Sequence, residues 1–172
     1  MAIAIRPERA SDRDAIFALH ARAFPSDAEA RLVDALRDAG AARVSLVAEE
    51  EARVVGHVLF SPVRVAAPNG AEFAALGLAP MAVDPARQRA GVGGALVRAG
   101  LAACRADRHV LVFVLGHPAY YPRFGFEPAA AHGFSYAGGR AYDAAFFVAA
   151  LAPGALAGRA GVVHFHAAFA AL

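Results

Sequence analysis

Met81-Ala82-Val83-Asp84-Pro85-Ala86-Arg87-Gln88-Arg89-Ala90-Gly91-Val92-Gly93-Gly94-Ala95-Leu96 is the stretch on which the reading of this chain turns. An apolar strand runs into a basic, glycine-bearing loop, and the loop opens a helix. That order aims several backbone N–H groups and the positive end of a helix dipole at one place, which suits a phosphate. Gly91, Gly93 and Gly94 let backbone approach a ligand with no Cβ between, and Arg87 and Arg89 can set charge against phosphate. Loop chemistry alone leaves a second reading open, in which the glycines serve tight helix–sheet packing and the arginines are solvated. Two nucleotide loops are excluded. No Gly-Lys-Ser/Thr follows, so this is not a Walker A loop. The glycines also fall too late, without an acidic-ended strand after them, for a dinucleotide fingerprint.

The elements around this segment alternate between sheet and helix periods. Ala2 to Arg6 reads as a first strand. Ser11-Asp12-Arg13-Asp14 fits a capping box before a helix carrying Ile16, Leu19, Ala23 and Phe24, and Pro25 stops it. Asp27 opens a second helix with Ala28, Leu32, Leu36 and Ala39 on one face and Gly40 past its end. Val44 to Ala48 and Val54 to Val65 read as strands joined by a charged turn at Glu49-Glu50-Glu51, and Pro68-Asn69-Gly70 as a hairpin turn. Phe73 to Val83 is extended but interrupted by Gly77 and by Pro80, whose missing N–H predicts a bulge or a one-sided strand. Gly91 to Arg105 reads as a helix, His109 to Leu115 as a buried strand, and Phe146 to Leu151 and Val162 to Phe165 as late strands. Phe126 to Tyr142 reads as coil. The order argues for a mixed α/β (α+β) fold in one domain over 1–172, with helices flanking a central sheet.

Composition narrows the function classes. The chain has 172 residues, 58% of them hydrophobic, with a formal charge of +2, and no apolar run reaches the ~18 residues that cross a bilayer. The opening residues lack the charged start and cleavage site of a signal peptide, and Cys104 is the one cysteine. These features predict a cytoplasmic protein that uses neither membrane nor disulfides. Arginines are dispersed without a run of like charge, so no nucleic-acid face is expected. His164 and His166 share a strand face, but no third ligand stands nearby and no metal is expected. Cys104, on an apolar helix, reads as an inert core thiol.

Gln88-Arg89-Ala90-Gly91-Val92-Gly93 matches the Gln/Arg-x-x-Gly-x-Gly/Ala motif of the GNAT superfamily, in the strand-to-helix position that the family gives it. Tyr120-Tyr121-Pro122-Arg123-Phe124-Gly125-Phe126 is similar to the family's second signature, a tyrosine five residues before a Gly-Phe end. Val55 to Pro62, Leu115 to Tyr121 and Ala152 to Gly158 resemble one bacterial branch of small GNAT N-acetyltransferases. With the two signatures they are spread along the chain from residue 43 onward.

The resemblance implies a central, mostly antiparallel sheet splayed between two parallel strands, acetyl-CoA as cosubstrate, and transfer of its acetyl group to the primary amine of a small molecule or peptide. Met81 and Val83 would pair with pantetheine amides, and the N–H groups near Met81 and Ala82 would receive the oxyanion. Gln88, Arg89, Ala90, Gly91, Val92, Gly93 and Gly94 would hold the pyrophosphate. Tyr121 would be the general acid at the thiolate. Family members often carry a glutamate on the strand before the loop, whereas Leu76 to Val83 offers no carboxylate. His57, His117 and Glu72 are the candidates for the base, beside an ordered water. The acceptor is not encoded legibly; the two N-terminal helices, the Pro68-Asn69-Gly70 turn and the segment from Ala129 to Arg140 are expected to select it. A homodimer is a common outcome in such families and is carried as an expectation. The competing reading is an acyl-CoA-binding sensor or interaction module with little catalytic activity, favoured by the absent strand glutamate and disfavoured by Tyr121 in register.

Overall fold

A computed structural model describes residues 2–172. The fold is mixed α/β, with parallel and antiparallel strand pairs and helices against them. Among the described residues nine strands are formed: β1 (Ala4–Pro7), β2 (Val44–Glu50), β3 (Arg53–Ala66), β4 (Glu72–Val83), β5 (Leu111–Leu115), β6 (Glu127–Pro128), β7 (Phe134–Tyr136), β8 (Phe146–Ala150) and β9 (Gly161–His164). The helices are α1 (Arg13–Ala23), α2 (Ala28–Asp38) and α3 (Val92–Ala106). They group into two compact units. One takes the chain up to Ser61, with Ala79–Ala102 and Ala167–Leu172; the other takes Pro62–Leu78 and Ala103–His166. Strands β3 and β4 and helix α3 run through both.

In the first unit, β1 pairs antiparallel with β2, and β2 with β3, Val47 facing His57 and Ala48 facing Gly56. The β2–β3 turn is tighter than the charged run predicts. Strand pairing continues to Glu50, and only Glu51 (φ 48°) and Ala52 (φ 60°) turn, both left-handed. Two such residues match the twist of a hairpin, which outweighs the cost of putting side chains at positive φ. Helix α2 buries Leu32 and Leu36 against Leu59, Ala41 and Phe169. Ile16 of α1 and Val33 pack on Val47. Each fully buried Leu or Ile here is worth about 1.5–3 kcal/mol relative to exposure. Gly100 gives α3 a close seat: a Cβ there would lie 2.4 Å from the Phe60 ring.

The first helix does not start as the Ser11 box predicts. Ser11 is exposed inside a short 3-10 turn, Ala10–Asp12, and Asp12 does the reaching back, its Oδ2 2.7 Å from the Arg9 N–H. Arg6 holds the same carboxylate from the other side at 2.7 Å, so the buried Asp12 is charge-compensated.

In the second unit, β4 pairs parallel with β5 at Leu76↔Val112 and Gly77↔Phe113. Strand β5 pairs antiparallel with β8, which also carries β6. The end of β3 pairs with β9, and β9 parallel with β7. The core is aromatic: Phe113 meets Phe134 edge-on at 5.0 Å and stacks on Phe146 at 5.6 Å. The segment read as coil is instead built of short pieces, β6, a 3-10 turn at Ala129–His132, β7 and a 3-10 helix at Arg140–Ala145. None is long enough to show a period, and pairing with β8 and β9 supplies what local propensity does not. Strand β4 continues through Gly77 and Pro80, but its pairing with β5 ends at Gly77, so Pro80 lies in a stretch without a β5 partner, the one-sided strand that its missing N–H predicts. Gly77 is needed for packing, since a Cβ would sit 2.8 Å from Phe165. Among the described residues, no helix is long and apolar enough to cross a membrane.

Candidate functional site

The turn between β4 and α3 is held by side chains from three directions. Asp84 caps the 3-10 turn Pro85–Arg87, its Oδ1 accepting the Ala86 N–H at 2.9 Å and its Oδ2 receiving Arg22 at 3.1 Å. Hydrogen bonding from Ala86 first, then from Arg22, keeps the Asp84 carboxyl below its ordinary range. The Asp84 N–H is tied to Val55 O at 2.8 Å. Gln88 reaches back to Val83 O at 3.3 Å.

Beyond Gln88 the backbone turns twice through left-handed space, at Arg89 (φ 63°) and Gly91 (φ 86°). Nothing stands within 4 Å of where a Gly91 Cβ would be, so the glycine is there for its conformation and not for room. The first intrahelical bond of α3 runs from Ala95 N–H to Gly91 O at 3.0 Å. Ahead of it, the N–H groups of Val92, Gly93 and Gly94 have no intrahelical acceptor, as at every helix start. Gln88, Arg89, Ala90 and Gly91 are exposed, while Val92 is buried and anchors the turn. The two arginines part company. Arg87 is committed to Glu50, its Nε 2.6 Å from Oε2, so the charge expected to face phosphate is already compensated. Arg89 makes no such pair.

Tyr121 starts a 3-10 turn, Tyr121–Phe124, and is only 8% exposed. Its ring is set edge-on against Tyr120 at 5.1 Å and Phe126 at 5.6 Å. Gly116 makes this position: a Cβ there would be 2.0 Å from Tyr121 Cε2. Burial pushes the phenol up to about 12, with Tyr120 adding to it, and the hydroxyl has no hydrogen-bond partner among the described residues. His117, four residues earlier, is exposed. Its Nδ1 accepts the Ala119 N–H at 3.3 Å, which leaves the hydrogen on Nε2. Glu72 is paired with Arg64 at 2.9 Å on the surface. Cys104 is fully buried, and burial pushes its thiol up to about 12.

His57 belongs to a buried chain that the sequence does not announce. Its Nδ1 lies 2.9 Å from Nε2 of His20, and its Nε2 2.8 Å from Oγ of Ser45. Ser45 donates to Glu8, which Arg37 holds at 2.7 Å. The donors can run only one way. Because Ser45 gives its hydrogen to the carboxylate, its oxygen must accept from His57 Nε2–H. His57 Nδ1 then accepts from His20 Nε2–H, and His20 Nδ1 is left with a lone pair and no partner among the described residues. Both imidazoles are wholly buried. Burial, then the neighbouring His57, lowers His20 to about 3, and burial lowers His57 despite the opposing pull of Glu8. Burial alone would raise Glu8, but the nearby His57 ring, the hydrogen bond from Ser45 and the charge of Arg37 hold it at about 2. The readable signal was a histidine on the apolar stripe of α1, beside Ile16 and Leu19.

Residues 4–129 match the family model described as an Acetyltransferase (GNAT) domain. The chain is 42% identical over 168 residues to the uncharacterized N-acetyltransferase YhbS of Escherichia coli strain K12, covering 96% of this chain and 97% of that one. A crystal structure of YhbS from Escherichia coli in complex with CoA superposes with a TM-score of 0.91 at 41% identity, over 98% of this chain and 92% of that chain. A GNAT family acetyltransferase from Brucella melitensis in complex with acetyl-CoA does so with a TM-score of 0.80 at 38% identity, over 98% of both chains.

Proposed function

The chain belongs to the GNAT acetyltransferase family, and from that premise we propose that it moves the acetyl group of acetyl-CoA to the primary amine of a small molecule or peptide by direct attack. The observation that carries the donor half is the head of α3, where the chain turns through two left-handed residues and the amides of Val92, Gly93 and Gly94 have no intrahelical acceptor. Such amides bind a diphosphate without needing Arg87. The CoA and acetyl-CoA complexes of the two relatives support the same cosubstrate.

Gln88 through Gly94 would hold the pyrophosphate, and Met81 and Val83 would pair through backbone with the pantetheine arm. The amine nitrogen attacks the thioester carbon, charge collects on its oxygen near the Met81 and Ala82 amides, and the C–S bond breaks. Tyr121 is the proposed acid. Its raised pKa keeps the phenol protonated at neutral pH, which favours hydrogen-bond donation to the developing thiolate. Complete transfer from this phenol to a thiol of ordinary pKa near ~8.5 would run uphill, so Tyr121 only hydrogen-bonds the departing sulfur, and the thiolate is finally protonated by the proton that the acetylated nitrogen sheds to solvent.

The proton lost by the amine is assigned to water. His57 has both ring nitrogens engaged and no exposed surface, so we give it the role of holding α1 to β2 and β3. His117 has its acceptor nitrogen engaged by the Ala119 N–H, and Glu72 is paired with Arg64. Residues 1–172 are taken as one acyltransferase domain, since β3, β4 and α3 pass through both units. We place it in the cytoplasm as a homodimer that needs no nucleic acid or membrane. The test is release of free CoA thiol from acetyl-CoA across a panel of amines, after binding has been established. Thiol release coupled to formation of an acetylated amine is expected; tight binding with no transfer to any amine would favour the sensor reading.

A further inference from the structure

A cleft of about 360 Å³ lies wholly in the second unit, formed by the short pieces between β6 and β8. Its polar lining is Ser135 and Tyr136 of β7 with Arg140 and Asp143 of the following 3-10 helix. In a 3-10 helix residues i and i+3 eclipse, so Arg140 and Asp143 stand on one face about 6 Å apart along the axis. They do not pair. On α2 the same i,i+3 spacing closes an ion pair between Asp34 and Arg37 at 2.6 Å. Arg6, Arg13, Arg22, Arg31, Arg64 and Arg87 likewise hold carboxylates. Among the described residues, the Arg140 and Asp143 side chains have no ion pair or hydrogen bond, and neither do the hydroxyls of Ser135 and Tyr136.

Tyr136 packs on Tyr142 at 5.4 Å, on Phe146 at 5.7 Å and on Phe165 at 5.8 Å. Gly138 leaves room for the ring, since a Cβ there would lie 2.1 Å from Tyr136 Cε2. Two opposite charges are thus presented along one cleft, unspent on each other, beside two free hydroxyls and an aromatic side chain.

We propose that this cleft binds a small zwitterion, a compact molecule carrying one carboxylate and one ammonium group, as a free amino acid does. Arg140 takes the carboxylate through its planar fork, and Asp143 takes the ammonium, with the Tyr136 ring lying alongside. The volume sits at the small end of ligand pockets, which suits a single amino acid and not a polymer. Binding here does not require acetyl-CoA, so the proposal stands apart from the transferase reading.

The probes are the standard L-amino acids and short ω-amino acids, titrated calorimetrically into the full chain without CoA. At least one is expected to bind, and its carboxamide and its des-amino analogue each to bind about tenfold or more weakly, the loss of one charge-assisted contact. Arg140→Gln is expected to erase the preference for the acid over the amide, and Asp143→Asn the preference for the amine, with circular dichroism unchanged. No binding by any probe at about 10 mM, or variants that discriminate like the wild type, overturns the proposal. Adding acetyl-CoA and following thiol release separates the two sources of the ligand. A bound zwitterion that is consumed is the acetyl acceptor, and one that is bound but not consumed is a separate ligand. Failure of transfer with binding intact counts against the proposed function and leaves the cleft assignment standing.

Discussion

His20 makes the fold acid-sensitive in a way that a single substitution should remove. In the folded chain its pKa is lowered from 6.5 to about 3, burial being the main cause. The unfolded chain therefore takes up a proton that the folded one refuses, so stability is full above 6.5 and falls as pH drops toward 3. Each pH unit inside that window costs about 1.4 kcal/mol, so from pH 7 to 4.5 His20 alone removes about 2.5 kcal/mol. His57 is lowered in the same direction and adds to the loss. Glu8 acts lower down: its carboxylate, held at about 2 against an ordinary 4.5, contributes stability above 4.5 that is lost as pH falls through about 2. Urea unfolding at pH 7, 6, 5 and 4.5 measures the slope. His20→Leu should be less stable than wild type at pH 7, because His57 Nδ1 loses its donor, by about 1–3 kcal/mol. Between pH 7 and 4.5 it should lose about 2.5 kcal/mol less than the wild type does. Parallel curves for the two proteins would show that His20 is not held neutral by burial, and the directional chain from His20 to Glu8 would fall with it.

Other consequences concern the proposed chemistry and the core. Tyr121→Phe should lower kcat about 100-fold while acetyl-CoA affinity changes little; full turnover would reject the acid role. Gly116→Ala places a methyl 2.0 Å from the Tyr121 ring and must displace it, so kcat should drop about 100-fold with the hydroxyl still present; a normal kcat would mean that the ring position is irrelevant. Gly100→Ala drives a methyl into Phe60 at 2.4 Å and should cost about 1–3 kcal/mol in urea unfolding, and an unchanged midpoint would show that α3 has slack there.

How much was legible follows the length of the signal. The strand–loop–helix around Gly91 was readable because motif, glycine placement and apolar strand agree over a long stretch, and α2 because Leu32 and Leu36 repeat at helical spacing. The Ser11 cap failed because Asp12 offers a stronger acceptor, already anchored by Arg6. The pairing of Arg87 with Glu50 is not legible because the two residues are distant in sequence. The chain through Ser45, His57 and His20 is legible only as a histidine on the apolar face of α1, because each link joins different elements and no local pattern records a tertiary hydrogen bond. The pieces between Phe126 and Tyr142 are too short to carry a period, so only their pairing with β8 and β9 defines them.

The central claim is that main-chain amides at the start of α3 grip the diphosphate of the cosubstrate. Backbone amide NMR on the labelled chain, titrated in parallel with CoA and with pantetheine, which lacks the diphosphate, tests it most directly. CoA should shift the resonances of Gln88 through Gly94 at saturation, with Val92, Gly93 and Gly94 moving most, and pantetheine should leave them nearly still. Resonances at Val92 to Gly94 that do not move with CoA, or that move equally with pantetheine, would contradict it.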